Sequence, residues 1–286
     1  MVQKRQWSWR NRLMGMAWFA AWFINAGQFA AVATNQTATN QTMGAPEPAQ
    51  LPAAGKANIP KSAQKVPMQM TWGGGHVTGD DWSIYTGTSA SLSGSINENG
   101  WRMRLIGGYG SYTYEGTKHI DGRSVQTAFD GQSSFGDVLV GYRLQTGDLI
   151  VKAFAGISSV GHSVQPFDQD NTAIGYRYGG SAAFEIWFNT SDSLWLSSET
   201  TYSTVFDTYN ATLRAGYRAW PQLSLGLETG LAGNNDYTAV RAAGVAAAEF
   251  GLLEAQDGYV RISAGASADR DMELSPYAAV SFALKY

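Results

Sequence analysis

The chain ends in the stretch P-Y-A-A-V-S-F-A-L-K-Y (Pro276–Tyr286), and this stretch decides the fold. Its apolar and aromatic side chains recur at every second position, at Ala278, Val280, Phe282, Leu284 and Tyr286. A period of two is the period of a β-strand, whose successive side chains point to opposite faces. An apolar stripe that finishes on an aromatic residue is typical of the closing strand of an outer-membrane β-barrel. The alternative is a half-buried strand at the end of a soluble β-sandwich.

The composition favours the barrel. The 286 residues include 33 glycines, 10 Trp, 14 Tyr, 12 Phe and no cysteine, and only 15% of them are charged. Few charges and many aromatic residues suit a wall that faces lipid and collects Trp and Tyr at the interfaces. The net charge of -3 argues against a nucleic-acid partner. No stretch after residue 33 approaches 18 consecutive apolar residues, so the sequence predicts no later helical span.

The first 68 residues are predicted to lie outside the barrel. Basic residues precede the apolar run Leu13–Ile24, and the small residues Ala31–Ala33 follow it. This is the order of a secretory signal, which predicts a signal peptide over residues 1–33 with cleavage after Ala33. An uncleaved inner-membrane anchor is the alternative, although Asn25 interrupts the run. Residues 34–68 contain the repeat T-N-Q-T-A-T-N-Q-T and several prolines, and they are predicted to form a disordered periplasmic linker.

From residue 69 onward, twelve alternating segments are separated by turn residues. The predicted strands are 69–78, 81–94, 101–114, 132–145, 148–161, 172–188, 193–205, 208–220, 222–233, 237–250, 257–268 and 275–286. In the clearest of these strands, one set of alternate residues is apolar and the other set carries the charges. This pattern favours a barrel whose outer face contacts lipid and whose interior contains water. The predicted fold class is all-β, an antiparallel up-and-down transmembrane β-barrel of about twelve strands over residues 69–286.

The connections provide a second indication. The connections predicted at 115–131, 162–171 and 269–274 follow odd-numbered strands and are assigned to the outer side. The short connections N-E-N-G, Q-T-G-D, N-T-S-D and W-P-Q follow even-numbered strands and are assigned to the periplasmic side. Transmembrane barrels with both termini in the periplasm alternate longer outer loops with tight inner turns. An even number of strands produces this alternation.

The parity assigned to the interior contains the candidate functional residues. They are Arg102, Arg104, Arg143, Lys152, Glu185, Glu199, Arg214, Arg218 and Glu228, together with Trp187 and Trp195. One interpretation is that opposite charges pair across the lumen and plug a small barrel. The other is a polar path with aromatic faces on which the sugar rings of a glucan stack. A lumen of about twelve strands is narrower than that of the porins with 16–18 strands.

Few residues suggest chemistry. His162 and Ser163 could form a base and a nucleophile, but neighbours in a strand point to opposite faces, and a solvated loop histidine is the favoured interpretation. Arg270 interrupts the acidic run Asp269–Glu273, which disfavours calcium. Gly107–Gly110 lies within a predicted strand with no following helix or lysine, unlike a phosphate loop. The sequence therefore predicts no catalytic residue, no metal and no cofactor.

Two long segments and two short ones carry a family resemblance. They are G-W-R-M-R-L-I-G-G-Y-G-S-Y-T-Y (Gly100–Tyr114), F-D-T-Y-N-A-T-L-R-A-G-Y-R-A-W-P-Q-L-S-L-G-L-E-T-G (Phe206–Gly230), G-N-N-D-Y (Gly233–Tyr237) and the S-P-Y-A-A-V-S segment that starts at Ser275. On these residues, the chain from about Trp72 to Tyr286 resembles the cellulose biosynthesis protein BcsS family.

The resemblance implies a function that the residues alone do not specify. It implies an outer-membrane accessory protein of bacterial cellulose biosynthesis or export, without established catalytic residues. Its expected partners are outer-membrane lipid, the cellulose or glucan chain and other components of cellulose synthesis. The alternatives that remain open are a small-solute outer-membrane channel and a lipid- or glucan-modifying outer-membrane enzyme.

Overall fold

The computed structural model describes residues 66–120, 123–253, 256–269 and 273–286, and these form twelve strands. The strands are β1 (Gln69–Val77), β2 (Asp81–Ser91), β3 (Gly100–Ile120), β4 (Arg123–Thr146), β5 (Leu149–Gln165), β6 (Gly175–Asn189), β7 (Leu194–Ser203), β8 (Thr208–Trp220), β9 (Leu223–Gly233), β10 (Thr238–Leu253), β11 (Gln256–Asp269) and β12 (Leu274–Lys285). None of the described residues belongs to a helix long and apolar enough to cross a membrane. The predicted signal peptide and most of the predicted linker lie outside the described residues.

The twelve strands close into one antiparallel barrel in which each strand pairs with its neighbours in the chain. The final stretch of the sequence forms β12, which pairs with β1 in a register that places Lys285 opposite Met70 and Phe282 opposite Gly73. This pairing removes the free edges of the sheet. The fold predicted from the alternating sequence is therefore confirmed.

The alternation places charges inside and apolar side chains outside. Arg102 and Arg104 on β3 are 1% and 2% exposed, whereas Met103 and Leu105, which alternate with them, are 40% and 42% exposed. The sheet closes on itself, so no second layer covers its outer face. An apolar outer parity over a closed antiparallel sheet is the surface of a barrel that spans a lipid bilayer.

The outer connections differ from the prediction. Residues 115–120 and 123–131 of the segment predicted as a loop are instead a paired extension of β3 and β4, in which Thr117 lies opposite Gln126. The rings of Tyr114 and Phe129 stack across this extension with their centroids 5.2 Å apart. At about 3.3 Å per residue, the 21 residues of β3 are much longer than the 9–11 residues that span a membrane. Part of β3 must therefore extend beyond the bilayer, where neither face needs to be apolar and the alternation on which the prediction depends is weak.

Two further connections were predicted with the wrong length. β5 continues to Gln165, so that the connection after it covers residues 166–174 and not 162–171. β2 ends at Ser91, so that the inner connection before β3 covers residues 92–99 and not only N-E-N-G. The outer connections are therefore not uniformly longer than the inner ones. The strands themselves supply much of the structure on the outer side.

Glycine on one strand makes room for an aromatic ring on the next. Trp195 lies opposite Gly216 in the β7–β8 register. Both residues point inward, and a Cβ atom built on Gly216 would lie only 2.2 Å from the Trp195 ring. The same arrangement occurs where Trp72 lies over Gly87 and where Phe135 lies over Gly108. A Cβ atom built on Gly87 would lie 2.6 Å from the Trp72 ring, and one built on Gly108 would lie 2.3 Å from the Phe135 ring. The missing side chains let large rings lie across the lumen, which accounts for much of the glycine in these strands.

We expect Gly216→Ala to lower the free energy of unfolding by about 1–3 kcal/mol, because the new methyl group displaces Trp195. The matched control is Gly244→Ala on β10, where a Cβ atom would have no neighbour closer than 3.9 Å. The free energies of unfolding of the two variants are compared by urea unfolding in lipid vesicles, monitored by tryptophan fluorescence. Equal losses in both variants would contradict the steric explanation.

Candidate functional site

The middle of the lumen is crossed by a belt of ion pairs that reaches from β3 to β10. The charge belt consists of Arg104, Lys152, Glu185, Glu199, Arg214, Glu228 and Arg241. The first six of these residues are between 2% and 8% exposed. These side chains are therefore largely shielded from bulk water.

Glu185 holds together one half of the charge belt. Arg104 Nη2 lies 2.5 Å from Glu185 Oε1, and Lys152 Nζ lies 3.1 Å from Glu185 Oε2. Lys152 and Glu185 are direct cross-strand partners on β5 and β6. Arg104 reaches Glu185 from β3, past the intervening strands. Two buried cations therefore share one carboxylate.

Arg214 holds together the other half. Its Nη1 lies 2.5 Å from Glu199 Oε2 and its Nε lies 2.6 Å from Glu228 Oε2. Arg241 Nε approaches Glu228 Oε1 at 3.4 Å. Glu185 and Glu199 are direct cross-strand partners, a like-charge pairing that is unfavourable unless each carboxylate has a cation. The two halves of the charge belt therefore depend on their cations at the point where they meet.

Aromatic rings fill the space beside the charge belt. Trp187 and Trp195 stack on each other with centroids 4.7 Å apart and planes inclined by 17°, and each residue is 2% exposed. The Arg104 guanidinium carbon lies 3.6 Å from the centroid of the Phe154 ring. The faces of these rings are occupied by protein groups. In this conformation they offer no surface on which a sugar ring could stack.

The inner end of the lumen is filled by the connection between β2 and β3. Ile96 is 1% exposed and packs in a cluster with Met70, Trp72 and Tyr259. Its backbone nitrogen donates a hydrogen bond to the Pro67 carbonyl at 2.8 Å. We call Ile96 and this cluster the inner plug. A single apolar residue within the polar segment S-G-S-I-N-E-N-G was the only sequence signal for it.

Arg102 secures the connection that carries the inner plug. Its guanidinium donates to the carbonyl oxygens of Ser95, Ile96 and Glu98 and to the hydroxyl of Ser91. Those oxygens belong to the turn itself or to the end of β2. Arg102 therefore acts as a structural anchor for the turn.

The outer end of the lumen is covered on one side by three connections, residues 166–174, 204–207 and 234–237, which we call the outer cover. Phe206 is buried although its φ of 54° lies in the left-handed region, which is uncommon for a residue other than glycine. The Arg177 guanidinium carbon lies 4.7 Å from the centroid of its ring. Thr172 Oγ1 donates to Asp236 at 2.9 Å, which joins two of the three connections.

The remaining candidates occupy different surroundings. Arg143 is buried near the inner end of β4 and donates from Nη2 to Gln145 Oε1 at 2.8 Å. Arg218 is only half-buried at the inner end of β8 and donates to the Asp192 carbonyl. Neither residue belongs to the charge belt. Sequence reasoning omitted Arg241 and Arg261, although Arg261 lies between the apolar residues Val260 and Ile262, as an inward charge should.

The interpretation of His162 as a solvated loop residue is wrong. His162 lies inside β5, is 3% exposed and packs edge-on against Phe206 with the ring centroids 5.3 Å apart. The strand continues past the predicted boundary, and its inward parity carries His162 into the lumen. Ser163 has the opposite parity, as the sequence argument required.

No group of three or more His, Cys, Asp or Glu residues is placed to hold a metal within the part of the chain that the structure describes. Arg270 and Asp271 of the acidic outer run lie outside that part. In the charge belt of the described interior, each carboxylate has at least one cation as its partner.

The fold and the interior define a class, that of membrane-spanning β-barrels whose lumen is filled by their own side chains. The family model for the cellulose biosynthesis protein BcsS matches residues 70–285. The chain therefore belongs to the BcsS family. Membership connects the chain with bacterial cellulose biosynthesis, and its closed transmembrane barrel agrees with a location in the outer membrane. None of the curated protein sequences matches the chain.

Several solved barrels are similar to this one in outline. The KdgM porin has a TM-score of 0.40 and 8% identity, with 76% of this chain and 99% of that chain covered. The TodX deltaS2S3 mutant monoaromatic hydrocarbon channel has a TM-score of 0.44 and 10% identity, with 77% and 90% covered. The translocator domain of the autotransporter NalP from Neisseria meningitidis has a TM-score of 0.44 and 12% identity, with 78% of this chain and 90% of that chain covered. The family assignment depends on the family match, and the fold on the strand pairing.

Proposed function

We propose that the protein is a non-enzymatic outer-membrane accessory of cellulose biosynthesis or export, and that it acts as a closed scaffold. On this proposal the glucan does not pass through the barrel. The protein contributes its surface and its outer elements to the assembly that delivers cellulose. Family membership supports the connection with cellulose. The interior of the barrel supports the closed scaffold.

The observation that carries the proposal is the burial of the charge belt. Glu185, Arg104 and Lys152 are each no more than 4% exposed. In a water-filled channel the inward charges would be hydrated, as in the wide lumen of a porin. Here they are desolvated, and each depends on a partner in the protein. A glucan chain could enter only if these ion pairs separated.

Two measurements test the closed lumen. Purified barrel in planar bilayers is expected to show no stable single-channel current. The chain has no cysteine, so a single substitution provides a clean label. Ser197→Cys, at a lumen position that is 1% exposed, is expected to resist a membrane-impermeant maleimide, whereas Ser191→Cys in an exposed inner turn reacts. Steady current together with rapid labelling of Ser197→Cys would support the small-solute channel instead.

Deletion of the gene tests the connection with cellulose. We expect the deletion strain to secrete less dye-binding polymer, or fibres of altered architecture, and the wild-type gene to restore both. Extracellular cellulose is measured by dye binding and the fibres by electron microscopy. An unaltered yield and unaltered fibres would exclude the accessory role without affecting the closed lumen.

The enzymatic alternative is tested at His162. Since this imidazole packs in the lumen against Phe206, we expect His162→Ala to secrete cellulose as the wild type does. Neither protein is expected to turn over labelled lipid or glucan. Turnover by the wild type that His162→Ala abolishes would identify an enzyme.

A further inference from the structure

The outer half of the lumen contains a small polar cavity. Its volume is about 50 Å³, and its lining includes Arg261, Arg214, Glu228, Tyr85 and Asn210. A cavity that holds one water needs about 10–15 Å³ measured in this way. The space is therefore large enough for a group of several non-hydrogen atoms. It lies next to the charge belt, which contributes part of its lining.

Arg261 is a buried cation outside the charge belt. It is 5% exposed, its Nε is buried without a hydrogen bond, and no ion pair or hydrogen bond joins it to any residue that the structure describes. Its single close contact of note is with the Tyr259 ring, whose centroid lies 5.5 Å from the guanidinium carbon. A buried charge of this kind is strongly unfavourable unless it is paired. The side chain lines the cavity, where a partner could reach it.

Two other polar groups in the lining also lack partners. Asn210 is 4% exposed and its Oδ1 has no hydrogen bond. No hydrogen bond joins the Tyr85 hydroxyl to any described residue. Arg261, Asn210 and Tyr85 come from β11, β8 and β2, so three strands present unsatisfied polar groups to one space. The tyrosine hydroxyl and the guanidinium can act as donors, whereas the unbonded Oδ1 of Asn210 is an acceptor, so that Asn210 can donate only through its amide nitrogen.

The carboxylates nearby are already engaged. Glu228 accepts from Arg214 and Tyr277 and is approached by Arg241, and Glu199 accepts from Arg214. The described lumen has an excess of positive charge among its buried residues. The buried cations are Arg102, Arg104, Arg143, Lys152, Arg214 and Arg261, and the buried acids are Asp137, Glu185, Glu199 and Glu228. Water alone could fill the cavity, but it would leave this excess uncompensated.

We propose that this cavity binds one small oxyanion, a phosphate or a carboxylate group, with Arg261 as its principal ligand, the Tyr85 hydroxyl as a further donor, and the Asn210 amide nitrogen as a third donor once the amide has rotated. A planar guanidinium binds such groups through two parallel hydrogen bonds. The anion balances the buried charge and joins β2, β8 and β11 across the lumen. This site is independent of the proposed role in cellulose production, because it depends only on the described interior.

The test uses the folded barrel in detergent, in a HEPES buffer of constant chloride concentration, titrated with inorganic phosphate, acetate or glucuronate. Isothermal calorimetry is expected to show saturable binding of one anion per barrel. Arg261→Met should weaken binding by at least about tenfold, since charge-assisted bidentate hydrogen bonds are about twice as strong as neutral ones. Arg123→Gln removes an exposed charge from the outer hairpin and should bind as the wild type does.

A second measurement distinguishes an anion-binding role of Arg261 from a purely structural role. Without added anion, Arg261→Met is expected to unfold at a higher temperature than the wild type, because an unpaired buried charge is gone. The anion is expected to raise the unfolding temperature of the wild type and not that of Arg261→Met. If Arg261→Met does not fold, Arg261→Lys replaces it, and weaker binding is again expected.

The three probes distinguish the source of the anion. Binding of phosphate or acetate without glucuronate identifies a free small oxyanion, whereas binding of glucuronate identifies the acidic group of a sugar. The proposal is overturned if no probe binds the wild type saturably, or if the Arg261 variant binds with wild-type affinity. A negative binding result would not change the result expected from the gene deletion. The anion site and the role in cellulose production can therefore be rejected independently of each other.

Discussion

Glu185→Ala is expected to lower the free energy of unfolding by about 3–5 kcal/mol, the usual effect of removing one partner from a buried ion pair. The substitution leaves the guanidinium of Arg104 and the ammonium of Lys152 buried without their shared carboxylate. Both cations are far from water, so solvent cannot compensate for the loss. Urea unfolding of the barrel in lipid vesicles, followed by fluorescence, measures the change.

Two controls make this result specific. Asp170→Ala removes an acid from an exposed outer connection and should change stability by less than about 0.5 kcal/mol. Glu185→Leu combined with Arg104→Met and Lys152→Met removes the ion pairs completely and should recover most of the lost stability. A Glu185→Ala barrel as stable as the wild type would show that the lumen is hydrated. The closed scaffold would then have to be abandoned.

Trp195→Ala is expected to lower the free energy of unfolding by a similar amount, about 3–5 kcal/mol, because it empties a large space in a close-packed interior. The ring stacks on Trp187 and lies over Gly216. The loss of the stack should also weaken the near-ultraviolet circular dichroism of the tryptophans. Leu196→Ala, at the neighbouring position on the lipid-facing side, is the matched control and should have a smaller effect.

The same variant tests whether the lumen binds glucan. Since the faces of Trp187 and Trp195 cover each other, soluble cello-oligosaccharides should leave the tryptophan emission of the wild-type barrel unchanged. Saturable quenching that disappears in Trp195→Ala would mean that the stack opens to receive a sugar. That result would favour the glucan path over the structural role of the aromatic residues.

The sequence was sufficient for the architecture because a strand has a period of two and lipid accepts no charge. Arg102 and Arg104 alternate with Met103 and Leu105, and only one orientation of that strand in a membrane is acceptable. The same pattern assigned most of the buried charges of the charge belt to the interior. No property of a single strand, however, determines that Arg104 reaches Glu185 past the intervening strands. That partnership depends on the closed geometry of the whole barrel.

Other features of the structure could not be predicted from the periodicity of the sequence. The extension of β3 and β4 was predicted as a loop because, beyond the membrane, neither face needs to be apolar. The inner plug depends on one isoleucine in a polar turn, and its destination in the lumen is set by long-range packing. Arg261 could have been assigned to the interior from its apolar neighbours. That it forms no hydrogen bond or ion pair with the described residues becomes visible only when all twelve strands are in place.

The rings that lie over glycines also have a consequence for how this family can diverge. At such a pair the two positions share one volume, so Gly216 can acquire a side chain only if residue 195 becomes smaller. Related chains are therefore expected to exchange the large and the small residue together, on strands that are consecutive in the chain. Correlated substitutions of this kind would report the register of neighbouring strands even in relatives whose overall identity is low.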